Sequence, residues 1–366
     1  MSNIETCITW NVDNDTKDIV MKNELDNDTK DIVMKNELDN ISEKIYFENN
    51  GAKDETMSCQ DILSSVGSCS IVSSTYDGKK YMKEKYMGKQ YKNIVLSGGA
   101  IKGLSMLGSM QYMYDNDFID PSSDLNFYTI SVGSIIAYLL IIGYTPIEIL
   151  VQICTKQFLQ LFAYPDMVLL ANGHGAYNWD VIGKFLEELS LQKIGCFLTM
   201  KGLYDKFGKQ FNITTYNMTT HSTEIINHTT HPDVPCIIAL RMSSNVPILF
   251  SKFKYTDNYY VDGGLEMKVP IQYIDDKTLD TIVIILQSSK KDDDDLSVIP
   301  YLFRILSERN SKHLESCMNK YNSDKTDILN ITSISTTSFS VENNKALDLF
   351  SKGYKDTENY YCEKIE

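Results

Sequence analysis

Arginine is nearly missing from this chain. Only Arg241, Arg304 and Arg309 occur among 35 Lys and Arg residues, and 49 acids set the formal net charge at −14. A general nucleic-acid binder carries a basic footprint, so that class is excluded. Paired cysteines are missing as well. Cys7, Cys59, Cys69, Cys154, Cys196, Cys236, Cys317 and Cys362 are irregularly spaced, with no CxxC pair. The opening MSNIETCITW has no basic region leading into an apolar run, so no signal peptide is expected. Together these point to reduced thiols in a cytoplasmic protein, not a secreted one. No EF-hand spacing or metal cluster is visible, and neither a metal nor another cofactor is expected. Long apolar runs are absent too. The unbroken apolar core of 127–147 is Ile135–Ile142, flanked by Ser131, Gly133, Ser134, Gly143 and Pro146. That is far short of the ~20 residues a membrane span needs, so a helix buried beneath a sheet is expected there, and no transmembrane span.

What is present is a globular composition, 43% hydrophobic and 23% charged over 366 residues. The length suggests two domains, or one large α/β domain with an appendage. The first 90 residues read as the appendage. DNDTKDIVMKNELDN at 13–27 recurs unchanged at 26–40, a tandem repeat of period 13. Thirteen residues do not return a side chain to one helix face, and two copies are too few for a solenoid. Residues 1–45 hold eleven acids and five lysines, are poor in aromatics, and are expected to be largely disordered. At 79–92, KKYMKEKYMGKQYK sets six lysines against one Glu. It reads as a solvated face leading into a domain, or as a stretch resting on an anionic membrane.

From residue 92 the pattern changes. Asn93–Leu96 is a short apolar run ending in Ser97-Gly98-Gly99, and 103–116 carries Leu104, Leu107, Met110, Met113 and Tyr114 at helical spacing. Phe127–Ile130 is a second strand, followed by the apolar helix. Strand, helix, strand, helix is the signature of a parallel α/β sheet. Thr145-Pro146-Ile147-Glu148 is a capping box with Pro at the first helical position. Asn178 precedes a helical run at Val181–Leu191, 209–227 reads as two strands, and 280–287 (DTIVIILQ) as a strand buried on both faces. Asp292–Asp295 reads as a solvated loop. Residues 296–320 and 341–361 read as helices, the second capped by Ser340.

Three patterns carry chemistry. Ser97-Gly98-Gly99-Ala100-Ile101-Lys102-Gly103 joins a strand to a helix, where glycines let backbone N–H groups converge on an anion. It is neither a nucleotide P-loop nor GxGxxG, and alone it reads equally as a tight turn. Thr129-Ile130-Ser131-Val132-Gly133 is a nucleophile elbow, GxSxG with Thr in place of the first Gly. Taken alone, Ser131 is also an ordinary helix-start serine, and Ser134 competes with it one turn on. Tyr260-Val261-Asp262-Gly263-Gly264 holds an Asp on a glycine turn. Such turns are usually structural; here a serine nucleophile needs a base.

In this order the three motifs resemble the patatin-like phospholipase family, over 92–290 and on toward the C-terminus. Leu240–Phe250 (LRMSSNVPILF) is similar to the family's segment before the catalytic strand, and Phe339–Gly353 to its final helix. The resemblance implies a patatin-like three-layer α/β/α fold with a mostly parallel sheet, over 91–366, following the 1–90 extension. It implies a serine lipid acyl hydrolase with a Ser–Asp dyad and an acyl-enzyme. Ser131 would be the nucleophile and Asp262 the proton acceptor. The amides of Gly98, Gly99 and Ala100 would form the oxyanion hole. Lys102, Gly103, Thr129, Gly133, Gly263 and Gly264 would support the motifs. None of His174, His221, His228, His231 and His313 sits in a strand-end glycine turn, so no histidine triad is expected.

The chain departs from the family at Thr129, at Ala100 and at Lys268-Val269-Pro270. Those departures keep open a catalytically silent patatin-fold protein that binds lipid or a partner. The substrates would be phospholipids or neutral glycerolipids at a membrane or droplet surface. Residues 157–170 (QFLQLFAYPDMVLL) would line an acyl channel, form an interfacial lid, or lie in the core.

Overall fold

β-branched and aromatic runs build the parallel centre of one sheet. In the computed structural model the described residues are 89–156, 158–162, 164–288, 320–321, 323–333 and 343–363. The N-terminal repeat, the loop at Asp292–Asp295, the helix expected over 296–319, His313 and the Ser340 cap lie outside them. Strands β1 (Asn93–Leu96), β2 (Asn126–Ile130), β3 (Gln210–Asn217), β7 (Thr281–Ser288) and β8 (Thr326–Ser333) run parallel in the order β3-β2-β1-β7-β8. β4 (Ser222–Ile226), β5 (Phe253–Tyr255) and β6 (Asn258–Asp262) are antiparallel additions beside β3. The fold is thus a mixed, mostly parallel sheet flanked by helices.

Alternation along the strands splits the core in two. Ile94, Leu96, Phe127, Ile282 and Ile284 face a large helical layer. Val95, Tyr128, Val283 and Ile285 face the other way, onto Val269, Ile271 and Ile274. The helical layer contains α1 (Gly103–Asp115), α2 (Val132–Ile141), α3 (Pro146–Thr155), α5 (Asp180–Ile194), α6 (Met200–Phe207), α7 (Cys236–Ser244) and α8 (Asn343–Glu363); the short α4 (Met167–Ala171) stands outside it. α2 is buried nearly all round, as its mainly apolar sequence demands. α3 starts on the expected capping box, with Thr145 Oγ1 accepting from the Glu148 amide at 3.3 Å and Glu148 accepting from the Thr145 amide at 2.8 Å. Among the described residues no single helix is long and apolar enough to cross a membrane.

The C-terminal α8 locks onto α1 backbone to backbone. A Cβ on Gly108 would sit 1.9 Å from the Phe350 carbonyl oxygen, and one on Gly353 would sit 1.8 Å from that of Ser105. Ser109 Oγ bridges the crossing to Gly353 O at 3.0 Å. At the far end of the sheet Asp327 of β8 accepts from Lys89, from the Tyr91 hydroxyl at 2.6 Å and from the Tyr360 hydroxyl at 3.2 Å. Lys89 belongs to the basic 79–92 stretch, so at this position the expected solvated charge is instead bonded to a buried carboxylate.

Candidate active site

The C-terminal ends of β1, β2 and β6 converge on one place. β3 brings two of them together. Its edge opposite β4 pairs first with β2, ending at Ile130 beside Thr214, and then with β6, beginning at Asp262 beside Thr215. Ser131 and Asp262 therefore stand at adjacent register positions on one strand edge. In parallel sheets the crevice beyond the strand ends, where the strand order reverses, is the usual place for a ligand.

Ser131 sits at the turn between β2 and α2 with φ 56° and ψ −127°. A non-glycine residue there is strained by ~1–3 kcal/mol, and such strain is characteristic of a residue presented to a reaction. Gly133 explains how the turn closes: a Cβ there would lie 2.8 Å from the Leu96 and Ser97 carbonyl oxygens. The strand and helix pass too closely for any side chain.

Thr129 takes the place expected for a glycine without leaving its hydroxyl stranded. It is fully buried, with Oγ1 2.9 Å from Ser134 Oγ and 3.2 Å from the Asn212 carbonyl oxygen. Ser134 Oγ in turn lies 3.2 Å from Ser243 Oγ. Ser243 donates to Thr214 O at 2.7 Å and accepts from the Ser131 amide at 2.9 Å. Thr129 and Ser243 each donate to a backbone carbonyl, so the Ser134 proton serves either Thr129 or Ser243. Ser134, the competing serine, is thus committed to structure. Ser243 was not singled out by sequence; the only signal was its place in the Ser-Ser-Asn-Val-Pro run.

Asp262 caps a short 3₁₀ turn over Gly263–Leu265 and accepts from the Gly264 amide at 2.7 Å. Its own amide donates to Asn245 O at 3.1 Å. Burial outweighs the lowering effects of the Ser131 hydroxyl and the Gly264 amide and pushes its pKa up to about 6. Gly263 has no room for a Cβ, which would meet Thr214 O at 2.7 Å; one on Gly264 would crowd the Asp262 carboxylate at 2.8 Å. None of the four described histidines is bonded to either residue. His228 stacks on Tyr204, and His231 contacts Thr230 and Glu224.

The loop after β1 lies against the serine. A Cβ on Gly98 would be 3.2 Å from Ser131 Cβ, one on Gly99 2.5 Å from Leu286 of β7, and one on Gly103 2.6 Å from Val132. The amides of Gly98, Gly99 and Ala100 donate to no acceptor among the described residues. Ala100 has φ 49°, in the left-handed region that favours glycine. Lys102 is half-buried, and burial together with the nearby Lys268 ammonium pushes its pKa down to about 8. Burial lowers Lys268 too.

Residues 94–275 match the family model described as patatin-like phospholipase. Two viral proteins are similar in sequence: a probable lipid hydrolase of Invertebrate iridescent virus 6, 34% identical over 194 residues, and an uncharacterised protein of Acanthamoeba polyphaga mimivirus, 29% identical over 206. The matched stretches are 50% and 54% of this chain, and they span 63% and 66% of those relatives. Among solved structures, VipD from Legionella pneumophila is 17% identical with a TM-score of 0.45, covering 74% of this chain and 67% of VipD. ExoU in its complex with SpcU from Pseudomonas aeruginosa is 16% identical with a TM-score of 0.40, covering 76% of this chain and 53% of that one. The fold, a mostly parallel mixed sheet flanked by helices, is the patatin fold. The chain's 94–275 domain belongs to the patatin-like phospholipase family.

Proposed function

We propose that this protein is a lipid acyl hydrolase that cleaves fatty-acyl esters of phospholipids or neutral glycerolipids through a Ser131–Asp262 dyad. The observation that carries the reading is that β3 sets the strained elbow of Ser131 beside the buried Asp262, their strands ending at the neighbouring positions Thr214 and Thr215. Ser131 Oγ attacks the ester carbonyl and passes its proton to Asp262. An aspartate with a pKa near 6 is a stronger base than an ordinary one and is still mostly ionised at neutral pH. The uncommitted amides of Gly98, Gly99 and Ala100 receive the oxyanion, each donor worth about 3 kcal/mol. Collapse expels the alcohol, which takes the proton from Asp262. Water, deprotonated by Asp262, then releases the fatty acid and restores the serine. Lys102 and Lys268 add positive charge close to the glycine loop, suited to a phosphate head group. The enzyme would act from the cytoplasm, peripherally, on membrane or droplet lipid.

The strain at Ala100 favours a second reading, a silent patatin-fold protein that binds lipid or a partner. Fatty-acid release from phosphatidylcholine and triacylglycerol vesicles separates the two. Ser131→Ala is expected to abolish release and Asp262→Asn to cut it by roughly 10³-fold or more. Labelling of the parent by a fluorophosphonate, lost in Ser131→Ala, is expected as well. Unchanged turnover in both variants would sink the dyad.

A further inference from the structure

The segment 157–170, expected in the core, over the site or along a channel, divides in two. Phe158 and Phe162 pack inward against Phe185 and Tyr177. The next residues do the opposite. Tyr164, Met167, Val168 and Leu169 are 89%, 59%, 70% and 40% exposed, four of the six exposed large hydrophobics among the described residues.

This is an ordered protrusion. Asp166 caps α4 by accepting from the Val168 and Leu169 amides at 3.0 and 2.9 Å. The Asp166 amide donates to Ala176 O at 2.8 Å, and the His174 amide to Leu169 O at 3.0 Å, closing the loop on itself. Ala176 and Tyr177 then donate to Ile248 O and Leu249 O at 2.9 and 2.8 Å. Their partners lie three to six residues after Ser243 and Asn245, which hold the amides of Ser131 and Asp262. The protrusion is thus tied by backbone bonds to the scaffold of the dyad.

Its chemistry points to one occupant. Between Phe158 and Tyr177 the only formal charge is Asp166, which is spent on the cap, and there is no Lys or Arg. A charged protein partner has nothing to pair with. With no cation between Phe158 and Tyr177, electrostatic attraction to anionic lipid is not what would seat this tip on a bilayer. An uncharged aromatic-aliphatic tip suits the headgroup–acyl boundary of a membrane.

We propose that Tyr164–Leu169 is a membrane-insertion wedge that seats the dyad on a zwitterionic bilayer by apolar contact. The inference rests on the lipid-hydrolase reading for its purpose, and its test does not need catalysis.

Flotation of the full chain carrying Ser131→Ala, with phosphatidylcholine vesicles, measures binding without hydrolysis. Adding Met167→Ser, Val168→Asp and Leu169→Ser is expected to lower the bound fraction at least tenfold. In the otherwise unaltered chain the same three changes are expected to leave turnover of a water-soluble short-chain ester unchanged, because none touches the dyad. Binding by the parent is expected to change less than twofold between 0.05 and 0.5 M salt, since it is not a counterion-release effect. A separate Val168→Trp variant is expected to show blue-shifted fluorescence on vesicles, quenched by brominated acyl chains. The wedge is overturned by a parent that does not float, by equal flotation of the triple variant, or by a dimer that the triple variant dissolves while vesicle binding persists. If neither lipid nor soluble ester is hydrolysed while the wedge behaves as stated, the catalytic reading falls and the wedge stands.

Discussion

The amide of Ser131 donates to the hydroxyl of Ser243 at 2.9 Å, and that bond holds the strained elbow from below. Ser243 is anchored in its turn to the Thr214 carbonyl, on the strand that also carries Asp262. Removing the hydroxyl leaves a buried N–H unpaired, which costs about 1–3 kcal/mol. Ser243→Ala is therefore expected to lower turnover about 10- to 100-fold with little change in KM. A fall in KM-limited binding with turnover intact would show that Ser243 does not position the nucleophile.

The proposed dyad sets a pH profile. Asp262 works as a base only when ionised, and burial holds its pKa near 6. Hydrolysis is expected to fall tenfold per pH unit below about 6 and to level off above it. An ordinary aspartate would place that limb two units lower. Rates on a soluble ester between pH 4 and 8 distinguish the two.

The same group governs stability with the opposite preference. Its folded pKa, about 6, stands above the ordinary 3.8, so the native state keeps its proton longer than the unfolded chain. Stability therefore falls as pH rises from about 4 to 6 and stays lower beyond, by roughly 3 kcal/mol. Asp262→Asn removes the charge and keeps an acceptor for the Gly264 amide. It is expected to raise the unfolding free energy by about 1–3 kcal/mol at pH 8 and to give no gain at pH 4, read by denaturant melts.

Ala100 offers a gain of another kind. Its left-handed backbone costs about 1–2 kcal/mol for a residue with a Cβ. Glycine removes that cost but adds roughly 0.4–1 kcal/mol of unfolded-state entropy. Ala100→Gly is expected to stabilise by a few tenths to about 1 kcal/mol while hydrolysis is retained. Destabilisation in thermal melts would mean the loop is not strained there.

Gly353→Ala tests the helix crossing. Its new methyl would lie 1.8 Å from the Ser105 carbonyl oxygen, so α8 must move off α1. Overpacking of this severity is expected to cost at least ~3 kcal/mol. Because α1 starts directly behind the glycine loop, ester turnover is expected to drop with it.

The strand–turn–helix units around Gly98 and Ser131, the Thr145 capping box and the glycine turn after Asp262 were legible because each is a local pattern of a few residues. What was not legible depends on distant partners. Thr129 looked like a flaw in the elbow, since nothing nearby announces that Ser134, Ser243 and Asn212 O will meet its hydroxyl. The sign of φ at Ala100 is set by how the loop lies over β7. The strand at Thr326–Ser333, mixed polar and apolar, is a strand because β7 is beside it. Residues 157–170 read as channel lining, interfacial lid or core; periodicity does not reveal which half of such a run is left in water.

The contact between Ser109 and Gly353 joins residues 244 positions apart. A ribosome making this chain finishes the glycine loop and the elbow long before it makes α8, the strut behind α1. The nascent chain therefore holds Ser131 and Asp262 before it holds the helix that packs on α1. In that order of synthesis, α1 waits for a partner helix whose contact residue is made 244 positions after its own.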